Sequence, residues 1–525
     1  MNIKQALAFA IALAIAPLTL SGQHAAVEST IESKVDGVFA KWNASTPGCA
    51  VGVASNGKPV LAKGYGMADL EHDVRITPET IFEAGSVSKQ FTAASVLLLA
   101  REGKLSLDDQ VRKYIPELPE YEFPLTVRHM LNHTSGLRDW GSVAAIAGWP
   151  RTTRVHTHAH VLEIVGRQHA LNFPPGTRWS YSNTGFNLAA IIVERLSGLS
   201  FQAFTRTRLF QPLGMDHTSW RDDYTRIVRN RAIAYAERAG EFHTDMPFEN
   251  VYGNGGLLTT VGDLMKWNQH FDAPAEGDAA MIAEQQVPGT FNDGRRHGYA
   301  LGLFVGPYKG VREVYHSGST AGYSAFLTRF PDHRVSVAVL CNASGAPATQ
   351  YSHSVADLYL GDRVKSSVTR PTLTASQIQD MAGLYRSVTT GAPLTIDGSE
   401  RGPLRGRVWR ATGNGQATAT DEYGTIELYE RVRPANPTAA QLGELAGTYI
   451  SDDAETVLTA AVEGGKLVLK RRPATTLALT PVYADAFSAP GLGTIIFRRD
   501  ASGLPAEFSV SQERVWDLRF ERKAQ

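Results

Sequence analysis

Strand-like and helix-like runs are distributed unevenly over the first 360 residues, and this unevenness constrains the fold more than any other feature of the chain. Cys49 to Ala54 and Pro59 to Tyr65 read as two strands joined around Ser55-Asn56-Gly57-Lys58, whose Asn-Gly pair is a strong hairpin signal. Strand patterns recur only much later, in Gly298 to Phe304, Arg312 to His316, Ser324 to Phe330 and Val335 to Cys341. The interval between is rich in helical spacing, clearest in Asn187 to Leu196, Phe201 to Leu209 and Val261 to His270. Val27 to Asn43 predicts a further helix ahead of the first strand, and Ala356 to Leu360 closes the unit. Strands at both ends of a mostly helical insertion predict one α/β unit with a sheet assembled from both ends of this stretch.

Residues 362–374 lapse into a polar linker, and an internal repeat follows. Gln377-Ile378-Gln379-Asp380-Met381-Ala382-Gly383-Leu384-Tyr385 returns 64 positions later as Gln441-Leu442-Gly443-Glu444-Leu445-Ala446-Gly447-Thr448-Tyr449. Each copy leads into short alternating runs; in the second, Val457 to Val462 and Leu467 to Lys470 flank a Gly464-Gly465 turn. Two small antiparallel β units fit this pattern. The expected division is a leader over 1–25, an α/β domain over 26–361, the linker, and β domains over 375–436 and 437–525.

The leader is expected because Met1-Asn2-Ile3-Lys4 precedes an apolar stretch from Ala6 to Leu20. A positive start with a short apolar core reads as a secretory signal, so the protein is expected to be exported, periplasmic or secreted. Lys+Arg and Asp+Glu balance at 52 each, which argues against a nucleic-acid partner, since phosphate binding needs a basic surface. The chain has two cysteines, Cys49 and Cys341, both in strand-like runs. An exported protein could pair them, but the residues by themselves favour two buried free thiols, since sequence shows no distance between them.

The chemistry centres on Ser86-Val87-Ser88-Lys89. It follows the extended run Ile81 to Gly85 and opens an apolar run in which Phe91, Ala94, Leu97 and Leu98 repeat at helical spacing. Ser86 is placed at the N-cap, beside backbone N–H groups and the positive end of the helix dipole. Lys89, one turn on, lies on the same helical face within reach of the Ser86 hydroxyl. S-x-x-K is the nucleophile motif of penicillin-binding proteins and class A β-lactamases. Two further clusters supply partners. Tyr181-Ser182-Asn183 sits in a loop before a helix beginning near Thr184, so Tyr181 and Asn183 can face one cleft. A Lys89 ammonium nearby would favour the Tyr181 phenolate, which could then take the Ser86 proton. His316-Ser317-Gly318-Ser319 ends a strand-like run, where small residues would let a substrate lie along an edge and a backbone N–H could complete an oxyanion hole.

S-x-x-K, then Y-x-N, then H-x-G before the closing strands resembles the class C β-lactamase and D-alanyl-D-alanine peptidase-like serine hydrolases. Asn132 to Leu137, Phe173-Pro174-Pro175-Gly176 and Gly255 to Thr260 add to the resemblance, which covers residues 27–360. It implies a serine β-lactamase-like antiparallel sheet with a helical lobe and a cleft between them. Ser86 would be the acylated nucleophile, with Lys89 and Tyr181 handling its proton. Asn183, His316, Gly318 and Ser319 would bind substrate, and the N–H groups of Ser86 and Ser319 would form the oxyanion hole. The first and last strands of that fold are neighbours, which brings Cys49 toward Cys341.

One departure bears on the substrate. Typical class C β-lactamases carry lysine where this chain has His316, and histidine is mostly neutral at pH 7. Relatives with histidine there include D-alanyl-D-alanine carboxypeptidases, D-aminopeptidases and esterase-like members. The paired C-terminal units resemble those appended to D-aminopeptidases, in which a loop of the last unit reaches the active site. Pro481 to Gly493, with Asp485, is the stretch that could serve, unless it is an ordinary hairpin; the loops around Trp140, Trp149 and Pro481 are expected to shape the pocket. His156, His158 and His160 invite a metal reading, but Thr157 or His158 more plausibly starts a helix and no acidic or cysteine cluster supports a site. No metal and no cofactor are expected. The resulting expectation is an exported serine hydrolase acting through an acyl-enzyme on D-amino-acid peptides. A β-lactamase, a short-chain esterase and a slowly deacylating receptor for cell-wall peptide are the rivals.

Overall fold

The computed structural model describes residues 30–365, 373–398, 407–421 and 423–524. The expected leader and residues 366–372 of the linker lie outside them. A helix over residues 30–38 (α1) precedes the strands Cys49–Ser55 (β1) and Lys58–Tyr65 (β2). The later strands are Phe304–Tyr308 (β3), Val311–Thr320 (β4), Tyr323–Phe330 (β5) and Val335–Cys341 (β6). They form one antiparallel sheet in the order β3-β4-β5-β6-β1-β2. The pairing of β1 with β6 joins the two ends of the unit, as the distribution of strand patterns predicts. In its register Cys49 stands opposite Cys341, and the two form a disulfide across 292 residues of chain. The Asn56-Gly57 hairpin turn takes positive φ at both residues (53° and 75°), which matches the twist of the flanking strands.

The sheet is covered on both faces, which is why β1 up to Ala54 and all of β6 are buried and nearly all apolar, Ser336 excepted, rather than alternating. On one face, α1 and the helix Ala348–Leu360 (named α5 below) pack Val35, Phe39 and Val355 against Val51 and Val337. The other face meets the helical lobe, chiefly Lys89–Arg101 (α2), Asn183–Ser197 (α3) and Val261–Asp272 (α4). Gly52 lets α4 approach closely, since a Cβ there would stand 3.1 Å from that of Val261. The strand expected over Gly298 to Phe304 does not form; β3 begins at Phe304. Gly302 (φ 75°) instead turns the chain under α2, where a Cβ would come within 2.7 Å of the Lys89 carbonyl oxygen.

Beyond α5 lie a five-stranded and a nine-stranded antiparallel sheet. The sequence repeat is also a structural one. Thr374 and Thr438 each open a short helix through a capping box with Gln377 and Gln441. Each helix then leads into a strand, Gly383–Ser387 or Gly447–Ser451. Tyr385 and Tyr449 hold equivalent places, each under an arginine of its own sheet, Arg431 or Arg522. The nine-stranded unit is docked on the helical lobe. Val143 and Ile146 of the lobe belong to its apolar core, Arg138 pairs with Asp453 at 2.8 Å, and Gly148 lies against the Arg472 carbonyl.

Candidate active site

Ser86 lies in a 3₁₀ turn, Gly85–Ser88, and α2 starts only at Lys89. Ser86 is therefore not the side-chain cap that its position suggested: no cap bond is made, and its hydroxyl is left for other partners. Gly85 permits the turn. Its φ is 51°, and a Cβ there would stand 2.6 Å from the Ser319 nitrogen. Gly318 is equally constrained, because a Cβ on it would meet the Ala84 oxygen at 2.0 Å and the Ser86 nitrogen at 3.1 Å. These two glycines bring the backbones of Ser86 and Ser319 side by side. Since β3 pairs with β4 only as far as Tyr315, the edge of β4 from His316 to Thr320 is open on the cleft side.

Lys89 is wholly buried, at 0 % exposure. Its Nζ donates to Asn183 Oδ1 (2.9 Å) and the Asn254 carbonyl (2.6 Å), and lies 3.2 Å from Ser86 Oγ. Two of these partners are acceptors only, so they take two N–H groups and leave the third direction toward Ser86. Burial pushes the Lys89 amine well below the ordinary lysine range, and the Arg514 guanidinium adds to the fall while Asp139 opposes it. Tyr181 moves the other way. Burial raises its phenol above the usual tyrosine value, against the hydrogen bond with Ser86 and the Arg514 charge. Both shifts work against the expected ammonium–phenolate pair, because burial disfavours the charged form of the Lys89 amine and of the Tyr181 phenol alike.

Asn183 opens α3 and its backbone N–H donates to Asp139 Oδ2 at 2.8 Å. Its side-chain oxygen serves Lys89, and among the described residues its amide nitrogen makes no hydrogen bond, which leaves it to the cleft. His316 is buried, and both ring nitrogens are engaged, Nδ1 with the Ser317 carbonyl (2.6 Å) and Nε2 with Tyr299 Oη (3.0 Å). The carbonyl can only accept, so Nδ1 carries the proton and Nε2 accepts from Tyr299. Burial depresses the His316 ring to about 3, so it offers the cleft no positive charge.

All seven residues singled out from the sequence thus line or underlie one cleft of about 980 Å³. Sequence reasoning missed four others. Asp139 and Asn254 hold Asn183 and Lys89; Asn254 stands directly before the Gly255-Gly256 pair, which was its one available signal. Tyr423 comes from the five-stranded unit and stacks on Trp179 with ring centroids 4.1 Å apart. Arg514 comes from the nine-stranded unit, its guanidinium 4.8 Å from the Tyr181 ring centre. No motif or spacing marks either of these last two.

Of the two readings of the Asp485 stretch, the structure shows the ordinary hairpin. Thr480–Tyr483 and Ala486–Ala489 form a plain hairpin whose Asp485 pairs with Arg499 at 3.0 Å. The segment that reaches the cleft is instead residues 512–517. Trp140 is likewise core, donating to Asn187, and Trp149 packs on Arg472 rather than in the cleft. At the three histidines, Thr157 caps the helix His158–Gly166 and the rings turn to separate partners: His156 to Trp140, His158 to the Tyr252 main chain, His160 to Thr157.

A serine at the mouth of a cleft, a buried amine on its hydroxyl and two adjoining backbone N–H groups define a serine hydrolase. Comparison with known proteins narrows this. The family model for Beta-lactamase matches residues 27–360, and the chain belongs to that family. A D-aminopeptidase of Brucella anthropi is 27 % identical over 499 residues, 87 % of this chain and 92 % of that protein. Penicillin-binding protein 4* of Bacillus subtilis is 28 % identical over 323 residues, 58 % of this chain and 69 % of that protein. Among solved structures, the octameric penicillin-binding protein homologue from Pyrococcus abyssi shares the fold, with a TM-score of 0.57 at 23 % identity, covering 94 % of this chain and 99 % of that one.

Proposed function

We propose that the protein hydrolyses amide or ester bonds of D-amino-acid-containing peptides through an acyl-enzyme on Ser86. The observation that carries this reading is the coordination of Lys89. Lys89 Nζ donates to Asn183 Oδ1 and the Asn254 carbonyl and lies 3.2 Å from Ser86 Oγ, so as a neutral amine it would turn its lone pair to the Ser86 hydroxyl. Ser86 Oγ attacks the carbonyl carbon while its proton passes to Lys89 Nζ. The carbonyl oxygen takes up negative charge beside the Ser86 and Ser319 N–H groups. The Tyr181 phenol, held protonated by burial, donates to the leaving amine or alkoxide as the carbon–heteroatom bond breaks, and is reprotonated from Lys89. Water then attacks the ester carbonyl and gives its proton to Lys89 Nζ, and Lys89 returns that proton to Ser86 Oγ as the acyl–oxygen bond breaks, which restores the free serine and the neutral amine. Asn183 Nδ2 and the open edge of β4 hold the substrate backbone.

The D-peptide preference is supported by the similarity to D-aminopeptidases along nearly the whole chain, and by a neutral His316 where an efficient β-lactamase would use a cation. Export is supported by the leader-like N-terminus and by the disulfide, which persists in oxidising compartments. The test is intact-mass analysis after exposure to a fluorophosphonate and to penicillin, followed by turnover of N-acetylated D-alanyl-D-alanine and L-alanyl-L-alanine, of the D- and L-alanyl anilides as a separate pair, and of nitrocefin. The expected result is an adduct at Ser86 and hydrolysis confined to the D series. An unmodified Ser86 with both probes would remove the nucleophile; fast nitrocefin turnover would move the protein to the β-lactamases, and a lasting penicillin adduct without turnover to the receptors.

A further inference from the structure

The charged groups of the cleft differ in whether they are already matched. Arg221 is locked to Glu83 at 2.8 and 3.0 Å, with Arg231 on the same carboxylate at 3.4 Å. Arg151 pairs with Glu249, and Lys309 with Asp357 at 2.6 Å. Asp139 accepts the N–H groups of Asn183 and Ser142. Arg514 is the exception. Among the described residues its side chain donates no hydrogen bond, and its Nε is buried without a partner. The nearest carboxylate, Glu513, stands 3.9 Å away with its side chain 82 % exposed, so water screens it.

The loop that delivers Arg514 is held firmly. The Arg514 carbonyl accepts from the Asp139 N–H and from Asn172 Nδ2, both at 3.1 Å. The Trp516 N–H donates to Asn172 Oδ1 at 2.8 Å, and Arg138 donates to the carbonyls of Trp516 and Asp517. The guanidinium is thus fixed over Tyr181, beside the reacting hydroxyl, with free hydrogen-bonding capacity. A guanidinium fork that is half-buried, 34 % exposed, and makes no hydrogen bond among the described residues suits a planar carboxylate and repels an ammonium.

We propose that Arg514, supplied by the last β unit, recognises a carboxylate on the substrate, so that the preferred D-peptides carry a free carboxylate near the scissile bond rather than a free amine. This rests on the reading of the protein as a D-peptide hydrolase and narrows it to the carboxypeptidase side. His316 cannot serve the same purpose, because both its nitrogens are spent. Glu513 is the one group in the rim suited to an ammonium, and its solvation makes it a weak competitor.

The test separates recognition from chemistry by measuring binding in the non-reacting S86A protein. Calorimetry gives Kd for N-acetyl-D-alanyl-D-alanine and for its C-terminal carboxamide, in S86A, S86A/R514K and S86A/R514Q, each first confirmed folded by thermal melting. The expected result is that S86A binds the carboxylate about 10- to 100-fold more tightly than the carboxamide. That ratio falls toward unity in S86A/R514Q and is partly kept in S86A/R514K. Equal affinities in S86A, a ratio untouched by R514Q, or tighter binding of D-alanyl-D-alaninamide with its free amine would each overturn the assignment. Should R514Q fail to fold, the carboxylate preference of S86A and its retention in R514K decide the matter. Wild-type protein that binds the carboxylate selectively but never forms a Ser86 adduct would defeat the hydrolase reading while leaving this one standing.

Discussion

The floor and the rim of the cleft were assembled from different kinds of sequence. At the floor, Ser86 and Lys89 are three residues apart, and Tyr181 and Asn183 two apart, each pair aimed by a single local turn. At the rim, Tyr423 and Arg514 come from separate β units and arrive only because those units dock on the helical lobe. The floor is built to hold protons in set places within a dry environment. The rim has spare hydrogen-bonding capacity and solvent beside it. Chemistry therefore belongs to the floor and choice of substrate to the rim, and the two can be broken separately.

The largest effect is expected from Ser86→Ala. With the attacking oxygen gone, turnover should fall by at least about 1,000-fold, and the fluorophosphonate adduct should vanish from the intact mass. Lys89→Met comes next. The methionine keeps a chain of similar length, so the circular dichroism spectrum should be retained while acylation drops by about 100- to 10,000-fold. Acylation at the wild-type rate in that variant would show that Lys89 is a neighbour and not the base.

These two residues mark how far the sequence was legible. Spacing linked Ser86 to Lys89 and Tyr181 to Asn183, and the family resemblance carried by the order S-x-x-K, Y-x-N, H-x-G brought those pairs and His316 together. The sheet was legible for a related reason: β1 and β6 are almost wholly apolar runs, as strands buried on both faces tend to be. Gly298 to Phe304 misled because an apolar alternation was in fact a turn wrapped beneath Lys89, with Gly302 chosen for close approach. The proton positions were not legible at all. Whether Lys89 is charged depends on its complete burial, a property of the packed lobe rather than of the motif. Arg514 was invisible because its role depends on Asp139 and Asn172, more than 300 positions earlier, receiving its carbonyl.

The sheet's two-ended construction makes the disulfide a mechanical test of the floor. Cys49 and Cys341 tie β1 to β6 where the two halves of the unit meet. Replacing both with serine should cost about 2–5 kcal/mol of stability, read as a lower melting temperature, with the Ser86 adduct still forming below the transition. A melting temperature indifferent to the double substitution would show that strand pairing alone holds the two ends together.

The smallest predicted effect is also the one that couples rim to floor. On the proposed mechanism Lys89 acts as the base in its neutral form, so the rate of acylation should be low where the amine is protonated and rise to a plateau as pH increases through its folded value. Burial sets that rise below the ordinary lysine range, and the Arg514 charge helps to keep it there. Arg514→Gln removes a cation that disfavours protonation of Lys89, so its rise should move to higher pH; the pH profile of fluorophosphonate labelling reads this without any substrate carboxylate. A shift to lower pH would contradict the assignment of Lys89 as the neutral base. An unmoved profile, together with a lost carboxylate preference, would confine Arg514 to recognition and restore a clean division between rim and floor. A shift in the expected direction means that the last β unit, besides selecting what enters the cleft, helps to set the pH at which Ser86 reacts.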